Sequence, residues 1–133
     1  MKVALLVLFT ALFAVPSLAL ATDSGLIFQE VRLDHAMVRH GNPADFDASK
    51  SPRVATVRSK EVYMAIPAYK TIQKEKVQKG TARYTQLMQT ATQTYRRALK
   101  ASADKGNYLL IVEEGGISGY TTTDLTTGII QSL

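Results

Sequence analysis

Between two short β-compatible runs lies a 47-residue stretch, Ser59 to Lys105, that contains one Gly and one Pro. It is rich in Lys, Gln, Ala, Arg and Met, all good helix formers. Any fold of this chain must therefore accommodate a long helical insert. One continuous helix from Pro67 to Asp104 would run about 57 Å at 1.5 Å per residue and would hold the flanking runs too far apart to pair. Passing a helix through Gly80 costs only about 1 kcal/mol relative to Ala, so geometry rather than energy favours a break. Gly80 is then a C-terminal stop and Thr81 the next N-cap, giving two antiparallel arms.

In the second arm Tyr84, Met88, Ala91, Tyr95, Ala98 and Ser102 recur at spacings of 4, 3, 4, 3 and 4, with Leu87 and Leu99 beside them. This 3.5-residue period predicts a coiled-coil seam that needs a partner helix. The first arm offers Tyr69, Ile72 and Val77 to face it. Ser59 is placed to cap a short helix ending near Ile66, with Pro67 as the first residue of the long arm.

The flanking runs read as strands. Arg53 to Val57 is β-compatible, and Tyr108 to Val112 is an apolar run bounded by Gly106-Asn107 and Gly115-Gly116, the pattern of a buried strand. Leu125, Ile129 and Leu133 fall at i, i+4 and i+8 and predict a closing amphipathic helix. Two strands and two small helices bury too little surface to stand alone, so self-association is expected. Upstream, Phe28, Val31, His35 and Val38 fit a helix over Leu26 to His40, while Leu26, Phe28, Val31 and Leu33 fit strand alternation. Asn42 to Ser51 reads as a linker.

The first 21 residues carry one charge, Lys2, an apolar and Thr run from Val3 to Val15, and Ala19-Leu20-Ala21. This is the layout of a cleaved secretory signal, and its core is shorter than the roughly 20 residues a spanning helix needs. The expected mature chain, Thr22 to Leu133, is exported, with a periplasmic address the simplest version. With no Cys in the chain, disulfides, thiolate metal sites and a cysteine nucleophile are excluded.

Charge is unevenly spread. Arg58 to Lys105 holds eleven basic and three acidic residues, a net of +8, while Thr22 to Val57 nets −1 and Gly106 to Leu133 nets −3. Few carboxylates are available for i, i+4 pairing along the basic arm, so it is suited to gathering an anionic partner. The candidate contact residues are Lys70, Lys74, Lys76, Lys79, Arg83, Arg96, Arg97 and Lys100. Nucleic acid would bind such a surface too, but an exported protein argues against that partner.

Nothing assembles into a catalytic constellation, a cofactor site or a metal centre. His35, His40, Asp34 and Asp45 lack ligand spacing. Glu113 and Glu114, as neighbours in a strand, point to opposite faces. Gly115 to Gly119 is not followed directly by a helix, as a phosphate loop would be. Tyr84 and Tyr95 read as seam packing.

Taken in order, Val54, Val57, Ser59 and Val62, then Pro67-Ala68-Tyr69-Lys70, the basic hairpin, the strand Tyr108 to Val112, and Tyr120-Thr-Thr-Thr-Asp124-Leu125-Thr126 resemble the Skp (OmpH-type) periplasmic chaperones. The resemblance covers Arg53 to Leu133, with a hairpin arm over about 59–105, shorter than is usual in that family. Thr22 to Ser51 is not part of the family pattern. The resemblance implies an α+β fold, a small β-strand trimerisation core with a protruding antiparallel α-helical coiled-coil hairpin. It also implies a homotrimer whose barrel core includes Val54, Val57, Tyr108, Leu110 and Val112, closed by Tyr120, Asp124, Leu125 and Thr126. The activity implied is ATP-independent holding of unfolded outer-membrane proteins in a cavity between the arms. The arm's charge would also suit anionic lipid or lipopolysaccharide. The alternative is a non-catalytic adaptor on the same scaffold, using residues 22–52 to bind one folded envelope partner.

Overall fold

The computed structural model describes residues 29–133; the signal-sequence reading of residues 1–21, and Leu26 and Phe28, lie outside the described residues. The strands are β1 (Arg32–Leu33), β2 (Val38–His40), β3 (Val54–Val57), β4 (Leu110–Glu113), β5 (Ile117–Ser118) and β6 (Thr122–Asp124). The helices are α1 (Ser59–Ala65), α2 (Pro67–Lys74), α3 (Ala82–Gly106) and α4 (Thr126–Gln131). One sheet has the order β2-β4-β3-β6, and β1 pairs with β5 in a second, two-stranded sheet. β3 runs parallel to both β4 and β6, with Val54 opposite Leu110 on one side and Thr122 on the other. β2 is antiparallel to β4.

Parallel neighbours require a crossover, and α1, α2 and α3 together provide the one between β3 and β4. Side-chain alternation then divides the core in two. Ala55, Val57 and Ile111 face the helices, where Val62, Ile66, Ala91, Tyr95, Leu99, Ala103 and Ile129 cover them. Val54, Leu110 and Val112 face the opposite way, under Leu33, Met37, Val38, Phe46, Ile117 and Tyr120. Both faces of β3 and β4 are covered, which explains why their sequences read as unbroken apolar runs.

The helix boundaries follow local chemistry. Ile66 is extended, as the residue before a proline must be, and so ends α1 while Pro67 opens α2 at a position that needs no N–H donor. α2 stops at Lys74, earlier than the expected stop at Gly80. Lys76 takes the left-handed conformation (φ 50°) and the Val77 N–H bonds back to the Ile72 carbonyl. Gly80 (φ 86°) lies in the connecting turn. Thr81 caps α3, its Oγ1 accepting the Tyr84 N–H at 3.2 Å.

The arm expected from the sequence is not formed. α3, at 25 residues, is about 37 Å long, but α2 spans only 8, and α3 lies back over the sheet instead of projecting from it. Its buried residues are Ala91, Tyr95, Leu99 and Ala103, spaced by four and drifting about 40° around the helix at each step. The expected seam went through Ala98 and Ser102, which are only partly buried. A 3.5-residue and a 3.6-residue period diverge by about 20° per heptad. The buried positions do not keep the 3-4 alternation of a heptad seam, and they pack on Ala55, Val57, Val62, Ile66, Ile111 and Ile129 of the same chain, so the stripe belongs to a globular core and not to a coiled coil.

The trimerisation core is corrected on the same grounds. Val54, Val57, Leu110 and Val112 are at most 2% exposed within one chain, and Tyr108 packs beside the helical core; they close an open four-stranded sheet, with no barrel. β2 and β6 complete the sheet around β4 and β3 within one chain, where the two strands alone were expected to need other copies. β2 comes from the N-terminal region, which forms β1, β2 and three single 3-10 turns where a helix over Leu26 to His40 or a strand through Leu33, and then a linker, were expected; Leu33 lies in β1. Ser59 is also not a cap: Arg58 takes that position, and α1 has no capping side chain of its own.

The end of α3 is shaped by a close approach. Asn107 terminates it in the left-handed conformation (φ 54°), and the Tyr108 ring then lies so near Gly106 that a Cβ there would sit 2.1 Å from Tyr108 Cε2. Ala is a better helix former than Gly by about 1 kcal/mol, yet overpacking of this kind typically costs about 1 to 3 kcal/mol. Gly106→Ala is expected to lower stability to urea by roughly 1 kcal/mol; a stabilised variant would show that the ring moves aside without cost.

Candidate functional site

Two polar features stand apart from the core. The first is a junction on Glu113, at the end of β4. Its Oε1 accepts the Ser59 N–H at 2.9 Å, and its Oε2 accepts from Ser59 Oγ and from Arg39 Nε, the latter at 3.0 Å. The single Ser59 hydroxyl hydrogen is thereby committed, so the Tyr95 hydroxyl, 2.5 Å away, donates to Ser59 Oγ. Burial pushes the Glu113 carboxyl up, but the Ser59 hydroxyl and amide and the Arg39 guanidinium outweigh it and hold the group below its ordinary range. Burial likewise raises the Tyr95 phenol, against the Ser59 hydrogen bond.

This cluster joins β2, α1, α3 and β4 and supplies α1 with the cap it lacks. Thr126, fully buried, supplies the second: its Oγ1 accepts the Arg58 N–H at 3.0 Å and donates to Asp124 Oδ1 at 2.6 Å. The Asp124 carboxyl is held low by the Thr126 hydroxyl and amide. The Ser59 hydroxyl donates to a carboxylate that also accepts the Ser59 N–H and Arg39 Nε. The junction thereby holds β2, α1, α3 and β4 together.

The second feature is the basic hairpin. Lys70 and Lys74 lie on α2, Lys76 and Lys79 on the turn, and Arg83, Arg96, Arg97 and Lys100 on α3; all eight are exposed. Arg83 pairs with Glu75 across the turn. Lys100 pairs with Asp104 at 2.7 Å and holds that carboxyl below its ordinary range. The remaining six make no ion pair among the described residues. The structure thus brings Lys70, Lys74, Lys76, Lys79 and Arg83 to the outer part of the hairpin, and sets Arg96, Arg97 and Lys100 nearer the sheet.

Between the two helices an open recess of about 500 Å³ is lined by Tyr69, Ile72, Val77, Tyr84 and Met88, with Lys76 and Lys79 at its rim. Tyr63 braces its inner end, stacked on Tyr95 at 4.7 Å between centroids and edge-on to Tyr69 at 5.8 Å. Of the two tyrosines read as seam packing, Tyr95 is buried in the core and Tyr84 lines this recess.

No protein-family model, curated protein or solved structure matches the chain. The resemblance to the Skp chaperones is therefore corrected by the fold itself. A holdase of that type encloses an unfolded chain between long arms, and here the hairpin is short, folded against its own sheet, and offers a recess on the scale of a few side chains. The segment Tyr120 to Thr126 serves an intrachain role instead: the Tyr120 hydroxyl donates to the Pro52 carbonyl, and Asp124 anchors the start of α4. The adaptor alternative rested on the same scaffold and is corrected with it; Val38 of β2 and Phe46, within residues 22–52, pack on the core.

Sequence reasoning missed the Glu113 junction. Ser59 and Glu113 are 54 residues apart, and only the β3–α1 to β4 pairing brings them together; the one signal was a carboxylate ending an otherwise apolar strand. A carboxylate held low contributes stability that is complete above the ordinary glutamate range and is lost as pH falls through its folded value. Lowering pH from 6 to 3 should therefore weaken the native chain more than Glu113→Gln, as read by urea midpoints; parallel pH curves would refute the role. At pH 7, where the charge-assisted bonds are intact, Glu113→Gln should cost about 1 to 3 kcal/mol.

Proposed function

We propose that this chain is a small exported, non-catalytic binding module that docks on an anionic envelope surface, phospholipid or lipopolysaccharide, through the basic hairpin. One observation carries the reading: Lys70, Lys74, Lys76, Lys79, Arg96 and Arg97 are exposed and make no ion pair among the described residues, on a segment that nets +8. None of these charges is needed by the core, which is apolar and closed beneath them. Juxtamembrane cations contribute about 1 kcal/mol each at an anionic surface, and the apolar recess beside Lys76 and Lys79 adds a place for shallow insertion. The leader read at residues 1–21 supports a periplasmic address.

Sedimentation with phosphatidylcholine vesicles, with and without 30% phosphatidylglycerol, tests this. Binding is expected only to the anionic vesicles, weakening as salt is raised from 50 to 200 mM. Replacing Lys70, Lys74, Lys76 and Lys79 together by Gln should remove about 4 kcal/mol, or roughly a thousandfold in partition. Equal binding to both vesicle types, or an unaffected quadruple variant, would overturn the proposal, as would tighter salt-matched binding to duplex DNA.

A further inference from the structure

At the far end of the sheet from the Glu113 junction, where β3, β4 and β6 begin, Arg53 sits between two adjoining cavities of about 420 and 460 Å³. Its guanidinium carbon stands 4.5 Å from the centroid of the Tyr108 ring, and Nη2 donates to the Tyr108 hydroxyl at 3.1 Å. The ring is itself located by its close approach to Gly106. Arg53 is thus an exposed cation whose head is held in place, although it makes no ion pair and lies outside the basic hairpin.

The guanidinium has five N–H donors, and four of them meet no protein acceptor among the described residues. Ser51, Thr121 and Thr123 bring hydroxyls to the first cavity, and no carboxylate lines either one. Ser51 and Asn107, the left-handed residues that end a 3-10 turn and α3, bring their backbone to the second cavity.

We propose that Arg53 and the surrounding hydroxyls form a binding site for a small oxyanion, a phosphate or carboxylate group carried on a compact polar molecule. A planar guanidinium fork grips either group through two parallel hydrogen bonds, and stacking on Tyr108 pre-organises it, which lowers the ordering cost of binding. Both recesses are open to solvent and exceed a bare phosphate, so the rest of the carrier molecule would lie partly in water.

Amide shifts in the labelled full-length mature chain test this at 150 mM salt, with inorganic phosphate and acetate as the two probes. At least one probe should shift Ser51, Arg53, Thr121 and Thr123 along a single saturable curve, and which probe does so identifies the oxyanion. Arg53→Gln should weaken that binding at least tenfold, while Lys60→Gln, which removes an exposed cation on α1 remote from both cavities, leaves it unchanged. Should Arg53→Gln fail to fold, Arg53→Lys keeps a cation on Tyr108 but loses the fork, and must still weaken binding several-fold. No saturable shift with either probe, shifts confined to the hairpin, or unchanged binding in the Arg53 variant would overturn the proposal. Vesicle binding by the hairpin is independent of each of these results.

Discussion

The parallel pairing of β3 on both of its edges is the constraint on which the rest of the structure depends. Val54 to Val57 pair with β4 on one side, and Val54 to Thr56 pair with β6 on the other. A strand so placed is closed to water on both faces only if two different layers cover it. The crossover helices and α4 form one layer; the N-terminal region with Ile117 and Tyr120 forms the other. Because α1 begins two residues after β3 ends, its first amides would be left unsatisfied against the sheet. Glu113 and Thr126, carried in by the neighbouring β4 and by α4, meet that need. The polar junction is thus a consequence of the topology as much as a support for it.

Parts of this were legible in the sequence. The strands β3 and β4 were visible because burial on both faces leaves an apolar run between turn residues. Pro67 and Thr81 marked helix starts correctly because their effects are local: a missing N–H and a side-chain cap. What was not legible depended on distance. β2 has three residues and a register irregularity between Val38 and His40, too little pattern to separate from a helix, and its partner lies more than 70 residues away. The heptad reading of α3 failed because Tyr84 to Tyr95 satisfies both periods, and only the last two turns, Leu99 and Ala103 against Ala98 and Ser102, tell them apart.

The family resemblance failed for a related reason. Its more specific half, Tyr120 to Thr126, describes a tyrosine bonded to a nearby carbonyl, a short strand and an aspartate at a helix start. Those are local solutions to ending a sheet and beginning a helix, and they do not dictate what lies between the strands. The candidate contact lysines were found from charge alone. Arg53 was passed over because its meaning comes from Tyr108, 55 residues on, and from the glycine that sets the ring.

The sheet topology also bears on how the chain reaches its folded state. Val54 must find Leu110 across the whole helical crossover, and Thr122 beyond that. Contacts of such sequence separation form late and slowly, because loop closure precedes any compensating pairing. The hairpin of α2 and α3, with its local contacts, has no such delay. The order of the elements thus places the pairing of β3 behind the longest loop closures in the chain. Whenever β4 and β6 are detached, both edges of β3 present unpaired backbone groups to other chains, so closing the sheet is also what protects it from aggregation.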